Sequence, residues 1–240
     1  FTRAIRLCAK YNNYKVYFTD SVCNSWAENY ATRLIGMNQQ IDAFMEMRVH
    51  APESFCTKLA LSGVTEMQLG LETVSESLLT TMRKGTRVIQ NLRAAKYLGE
   101  LGIKSSSNLI THHPKSLVED VEETKRILKL VEHFPPFSLS YFIISYASPF
   151  YKELESDRKA ELIRGFDWLP QEFRDYSFPR QLAYFYPQEW LDPKVLTAWN
   201  NFCNWHDTWC EKMLERPAVF HVEHTGTKEL TFFDTRFGQE

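Results

Sequence analysis

Two polar side chains, Gln68 and Glu72, stand on one face of an extended stretch, residues 65–73, whose other face carries Met67, Leu69 and Leu71. A period of two marks a strand with one apolar and one polar side. The amide and the carboxylate either bond the polar groups of a bound molecule or tie neighbouring strands together in a buried network. Asp20 closes an earlier extended run, residues 14–20. Strand C-terminal ends are where α/β sites assemble, and a carboxylate there suits an ammonium group. It equally suits the N-cap of a helix that starts at the next residue. Glu46 and Arg48 alternate along the run 41–49, on the face that Phe44 shares. Arg48 can grip a carboxylate bidentately, or pair with Glu46 or Glu72. Lys84 precedes Gly85-Thr86 at a helix end, where it meets an anion or stabilises the helix carbonyls. Asn108 and the pair His112-His113 close a further run that starts at residue 103. Adjacent side chains on a strand diverge and no third ligand stands near, so the two histidines are not read as a metal site. Cys203, His206 and Cys210, at i, i+3 and i+7, offer two thiolates and an imidazole, but Trp199, Phe202 and Trp209 surround them. An amphipathic core helix accounts for that face better than a metal, and no metal ligand is assigned.

The elements that must position these groups follow one rhythm. Residues 63–114 read as strand, short helix (75–81), longer amphipathic helix (88–101, with Ile89, Leu92, Ala95 and Leu98 in step) and strand (103–111), with Gly102 ending the second helix. A β-α-β unit of this length is a crossover between parallel strands. Upstream, a helix over 2–11, a strand over 14–20, a helix over 25–37, a strand over 41–49 and a helix over 52–61 repeat the alternation. Downstream come a helix over 117–134, acidic in its N-terminal half, the breaker Pro135-Pro136 and a strand over 138–145. Five strands alternating with helices predict a parallel α/β architecture. They are too few to close an eight-stranded barrel, and residues 150–240 do not supply the rest. An open TIM-like barrel lacking its first strand fits, as domain 1–149. Residues 150–240 read as an aromatic-rich α+β appendage: aromatics and prolines to residue 195, a helix over 196–214, and a hairpin (218–222, 229–234) around Thr225-Gly226. The aromatic run 166–190 either lines a substrate cleft or fastens the appendage.

Composition bounds the rest. The 240 residues are 44% hydrophobic and 24% charged with a net charge of −2, an ordinary globular balance without an electrostatic footprint for nucleic acid. No apolar run approaches the roughly 20 residues of a membrane span. Five scattered cysteines, an odd number, predict reduced thiols in a cytoplasmic setting rather than a disulfide framework.

The run Gln68-Leu69-Gly70-Leu71-Glu72-Thr73, then Leu78-Leu79, Met82-Arg83-Lys84-Gly85-Thr86 and Asn108-Leu109-Ile110, resembles the second half of the barrel in radical S-adenosylmethionine enzymes. The cobalamin-binding branch is the nearest match, together with the radical proteins that mature ribosomally made peptides. The likeness covers residues 3–154. It implies a (β/α)6 barrel of which the second to sixth strands are present. It also implies S-adenosylmethionine, a 4Fe-4S cluster, possible use of cobalamin bound by a domain outside this chain, and an electron-donor protein. Enzymes of this kind cleave the cofactor reductively to a 5′-deoxyadenosyl radical that removes hydrogen from an unreactive C–H position. The cobalamin branch can then methylate that carbon, here in a peptide or small-molecule substrate. The resemblance makes Asp20, Glu46, Arg48, Gln68, Glu72, Lys84 and Asn108 the cofactor-binding candidates, with Asp20 at the methionyl amino group and Glu72 in the G-x-E position. The C-x3-C-x2-C triad that holds the cluster is absent from the sequence, and the chain opens on Phe1. The expectation is that the chain begins after the triad and is inactive alone. One phrase departs: where relatives have G-x-P-G-E, this chain has His112-His113-Pro114-Lys115-Ser116, and side chains there alter how closely the backbone approaches a ligand. A radical enzyme that oxidises or crosslinks without methylating, and a degenerate barrel acting as a binding module, are the rival expectations.

Overall fold

The computed structural model describes residues 7, 10–11, 15–19, 22–38, 42–146, 148–164, 170, 184–185, 187–226 and 229–236. Five strands, β1 (Lys15–Tyr17), β2 (Asp42–Arg48), β3 (Val64–Glu72), β4 (Lys104–Thr111) and β5 (Ser138–Tyr141), form one sheet in chain order. Every neighbouring pair is parallel. The sheet curls into a half-barrel. Helices α1 (Ala27–Gly36), α2 (Glu53–Leu61), α3 (Glu76–Thr81), α4 (Val88–Glu100) and α5 (Val118–Leu130) fill the crossovers.

Alternation along the strands decides which side chains meet the helices. Ala43, Met45 and Met47 of β2 and Met67, Leu69 and Leu71 of β3 are buried, and they pack with Tyr30 and Leu34 of α1, Phe55 and Leu59 of α2, and Leu98 of α4. Each large apolar side chain so buried contributes about 1.5–3 kcal/mol. The intervening residues, Glu46 and Arg48, Gln68 and Glu72, Ser106 and Asn108, are left on the open concave face, in register as Glu46 opposite Gln68 and Gln68 opposite Ser106.

Local chemistry sets the helix ends. Ser75 caps α3, its hydroxyl accepting from the Leu78 N–H at 3.3 Å. Gly102, at φ 70°, turns the chain so that the Ile103 N–H reaches the Leu98 carbonyl at 2.9 Å and closes α4. The Asp120 carboxylate accepts from the Leu117 N–H at 2.7 Å, from the Ser75 hydroxyl at 2.7 Å and from Ser77 Oγ, so one buried acid starts α5 and ties it to α3.

The expected strand over 138–145 is broken. After β5 the chain leaves the sheet, and Ile144–Ser145 (β6) pairs antiparallel with Tyr184–Phe185 (β7). Short helices α6 (Pro149–Glu153) and α7 (Ser156–Arg164) follow β6 in the chain. Most of the aromatic run 166–190 lies outside the described residues. Helix α8 (Pro193–Glu215) begins with Asp192 as N-cap and Pro193 in the first turn. It lays Trp199, Phe202, His206 and Trp209 inward; the Trp199 indole N–H donates to Ser116 Oγ at 2.9 Å, and Trp209 donates to Glu132 at 3.2 Å. A hairpin, β8 (Phe220–His224) and β9 (Leu230–Asp234), is pinned at its base by Arg236, which stacks on Phe220 and donates to the Leu130 carbonyl at 2.8 Å. No helix among the described residues is long and apolar enough to cross a membrane.

Candidate functional site

At the C-terminal ends of β2 and β3 the concave face deepens into a cleft of about 500 Å³. Glu46, Arg48, Gln68, Glu72 and Lys84, five of the seven residues expected to bind a cofactor, line it. Asn108 does not: it is exposed further along the concave face, opposite Ser138. Asp20 lies outside the described residues.

Glu72 is held in an unusual backbone. Its φ is 67°, and the Thr73 N–H closes a three-residue turn onto the Leu71 carbonyl at 2.8 Å. A left-handed glutamate costs on the order of 1–3 kcal/mol and persists only where its surroundings fix it. Asn91, fully buried on α4, does the fixing: its amide donates to the Leu71 carbonyl at 2.8 Å and the Thr73 carbonyl at 3.0 Å, straddling Glu72. The strand register also shifts between Leu69 and Glu72. The effect is to aim one carboxylate out of the strand end.

Lys84 meets that carboxylate. Its ammonium donates to Glu72 Oε1 at 2.8 Å with both side chains partly exposed. The lysine is delivered by a second left-handed residue, Arg83 at φ 54°, which lets the Lys84 N–H close α3 onto the Leu79 carbonyl at 3.1 Å. The G-x-E phrase and the M-x-K-G-T phrase, twelve residues apart, are thus one ion pair on the rim of the cleft. Arg48 takes neither of the partners expected for it. Among the described residues no ion pair or hydrogen bond engages its guanidinium, while its backbone N–H and carbonyl are clamped by the Asn24 amide at 2.9 and 3.3 Å. Asn24 and Asn91 were not legible as site residues, because a single asparagine in a loop or a helix carries no pattern.

The His112-His113-Pro114 segment shows how the departure from glycine is accommodated. His112 has a left-handed backbone, φ 58°, at the first position of the phrase, a conformation that glycine adopts freely. Its imidazole turns toward α8, with Nδ1 2.9 Å from Thr111 Oγ1, Nε2 3.1 Å from Asn200 Oδ1, and the ring against Tyr141 and Trp199. His113 faces Phe142 and Phe150 instead. Burial, reinforced by Lys115, pushes its pKa down to about 4. The two rings have different surroundings, and no group of three or more His, Cys, Asp or Glu side chains among the described residues could hold a metal ion. Cys210 Sγ lies 3.6 Å from the His206 ring nitrogens within the aromatic face of α8, where burial raises the thiol and lowers the imidazole.

No protein-family model matches the chain, and no curated protein matches it in sequence. Solved structures do share its fold. The radical S-adenosylmethionine methyltransferase TsrM from Kitasatospora setae, with cobalamin and a 4Fe-4S cluster bound, aligns at a TM-score of 0.59 and 16% identity, over 95% of this chain and 49% of that one. The same enzyme with tryptophan substrate and an S-adenosylmethionine analogue aligns at 0.51 and 16%, over 58% of this chain and 29% of that one. Elp3 of the archaeon Methanocaldococcus infernus gives a TM-score of 0.49 at 13% identity, over 97% of this chain and 68% of that one. At such identities the likeness is one of fold. The half-barrel described above is the fold of radical S-adenosylmethionine enzymes, and this chain spans half or less of the TsrM chains it matches.

Proposed function

We propose that this chain is the distal part of a radical S-adenosylmethionine enzyme, with the methionyl end of the cofactor seated in the cleft of Glu46, Arg48, Gln68, Glu72 and Lys84. The observation that carries the reading is the Glu72–Lys84 pair: a strained carboxylate and a cation, each presented by its own left-handed residue, at the C-terminal mouth of a parallel half-barrel. The cleft fits an amino acid zwitterion. Glu46 and Glu72 offer oxygens to an ammonium, and Arg48 and Lys84 offer donors to a carboxylate. The cofactor, when bound, supplies the hydrogen-abstracting chemistry, and the chain's own residues position it and keep water away. The described residues show no ligand set for a cluster, and no role toward one is assigned to them. Cobalamin-dependent methylation of a peptide or small molecule is the finer form of the proposal, supported by the fold shared with TsrM. An electron-donor protein and a cytoplasmic setting belong to the same reading.

The test is made on the full-length protein, purified without oxygen. The proposal expects about four irons per chain and release of 5′-deoxyadenosine from S-adenosylmethionine under reduction, with cobalt beside the iron if the methylating form is right. A full-length protein with neither iron nor 5′-deoxyadenosine release would be a binding module instead.

A further inference from the structure

The register of β8 and β9 sets Phe220 opposite Asp234, Val222 opposite Phe232 and His224 opposite Leu230, so Phe220, Val222, Leu230, Phe232 and Asp234 share one face of the hairpin. Val222, Leu230 and Phe232 are exposed on it, while Phe220 is half-buried against the His133 ring at 5.4 Å. A two-stranded hairpin by itself is marginal in water, so its attachment to the barrel decides whether it holds. That attachment meets the end of α5, where the last carbonyls lack partners within the helix. Arg236 Nη1 donates to the Leu130 carbonyl at 2.8 Å. Asp234 fixes the guanidinium, accepting from Nε at 2.8 Å and Nη2 at 2.5 Å, and the guanidinium lies 4.0 Å from the Phe220 ring centroid.

The Phe220 ring thus meets a guanidinium from its own hairpin and an imidazole from the barrel. His133 Nδ1 is buried, and among the described residues no partner meets it. A neutral imidazole can leave one ring nitrogen without a proton, whereas an imidazolium carries N–H on both. Protonation therefore creates a buried, charged donor with no acceptor, a costly arrangement. The charges around it do not compensate. Asp234 of the hairpin attracts a proton, but both its oxygens are taken by Arg236. Arg236 itself and Lys96 of α4 repel one, and Glu132, the preceding residue, accepts from the Trp209 indole at 3.2 Å. Burial accordingly lowers the imidazole from its ordinary 6.5, with Arg236 and Lys96 adding to the fall and Asp234 opposing it.

We propose that His133 is a proton-operated latch: the neutral imidazole seats Phe220 and Arg236 on the end of α5, and its protonation releases the β8–β9 hairpin from the barrel. Release returns the ring to water and to its ordinary proton affinity, so the released form takes up a proton before the docked one. Docking is at full strength above about pH 6.5 and weakens as the pH falls. The released Phe220 joins Val222, Leu230 and Phe232 in one exposed apolar strip. The latch sits at the C-terminal end of α5, which in a parallel β-α-β unit lies at the opposite end of the strands from the zwitterion cleft. The proposal stands apart from the cofactor reading.

The test is amide hydrogen exchange of the full chain at pH 7, 6 and 5, each rate divided by the intrinsic chemical rate at that pH, as wild type and as His133→Leu. Leucine keeps an apolar contact for Phe220 and cannot take a proton, while every other titratable group stays in place. In the wild type the amides of β8 and β9 should lose protection below pH 6.5, by up to about tenfold per pH unit, the limit for one linked proton. The amides of β3 should keep theirs over the same range, which separates release of the hairpin from unfolding of the barrel. In His133→Leu the protection of β8 and β9 should be flat with pH. A histidine titration of the wild type by NMR needs no variant, and there the His133 ring should titrate below 6.5. A hairpin unprotected already at pH 7, equal protection at the three pH values, an unchanged slope in His133→Leu, or an imidazole titrating at or above 6.5 would overturn the proposal.

Discussion

Three side chains carry the account at the smallest scale: Glu72, Lys84 and His113. The Glu72–Lys84 pair is partly exposed, so it adds little to stability, no more than about 1 kcal/mol. Lys84→Met should therefore shift the thermal midpoint by only a few degrees while weakening ligand binding, a split that calorimetry on one sample resolves. His113 gives a pH signature. Its folded pKa, about 4, lies below the ordinary 6.5, chiefly through burial, with Lys115 and Lys84 lowering it further and Asp120 opposing them. The unfolded chain therefore takes up a proton before the folded one does. The stability linked to this residue is complete above about pH 6.5 and falls as the pH drops toward 4. His112, His133 and His206 are lowered in the same direction. Urea titrations between pH 7 and pH 4 should show that loss, smaller in His113→Phe than in the wild type; an equal pH slope in the two would remove His113 as a contributor.

Elements deliver these side chains, and their delivery can be tested without a ligand. Arg83 occupies the left-handed position after α3 that glycine usually takes. Arg83→Gly should raise stability by about 0.5–1 kcal/mol, since the exposed pair with Glu153 that it sacrifices is worth little. Asp120→Ala should cost about 3 kcal/mol, because it strips a buried carboxylate from Ser75, Ser77 and the Leu117 N–H at once; chemical denaturation checks both. The elements themselves were legible where one local signal sufficed. Residues 75–81 and 88–101 became α3 and α4 within a residue or so because Ser75 and Gly102 mark their ends, and the two-residue period of 65–73 became β3. The strand read over 138–145 failed because its second half pairs with β7, some forty residues downstream. At the site, residue type and spacing brought out five of the cleft's residues, and the two phrases were known to matter only by resemblance. That they touch was not legible, nor was the left-handed turn at Glu72, because a bulge and a buried asparagine on another element create it. Asp20, read at a strand end, falls outside the described residues.

At the scale of the molecule, the half-barrel leaves a polar concave face open while α8 lies across the outside of α5 and the end of β4 through Trp199, Ser116 and the His112–Asn200 contact. Helix α8 thereby supports the end of β4 at His112. Trp199, 1% exposed, should cost about 3–5 kcal/mol when replaced by alanine, measured by denaturant unfolding of the full chain. The central claim is that the cleft receives the zwitterionic end of S-adenosylmethionine through Glu72 and Lys84. Its most direct test is isothermal titration of S-adenosylmethionine into the anaerobically prepared full-length protein, as wild type, Glu72→Gln and Lys84→Met. The account predicts saturable binding that weakens tenfold or more in each variant, roughly 1.4 kcal/mol, with folding intact. Binding that both variants retain unchanged, or no binding by the wild type, would contradict it.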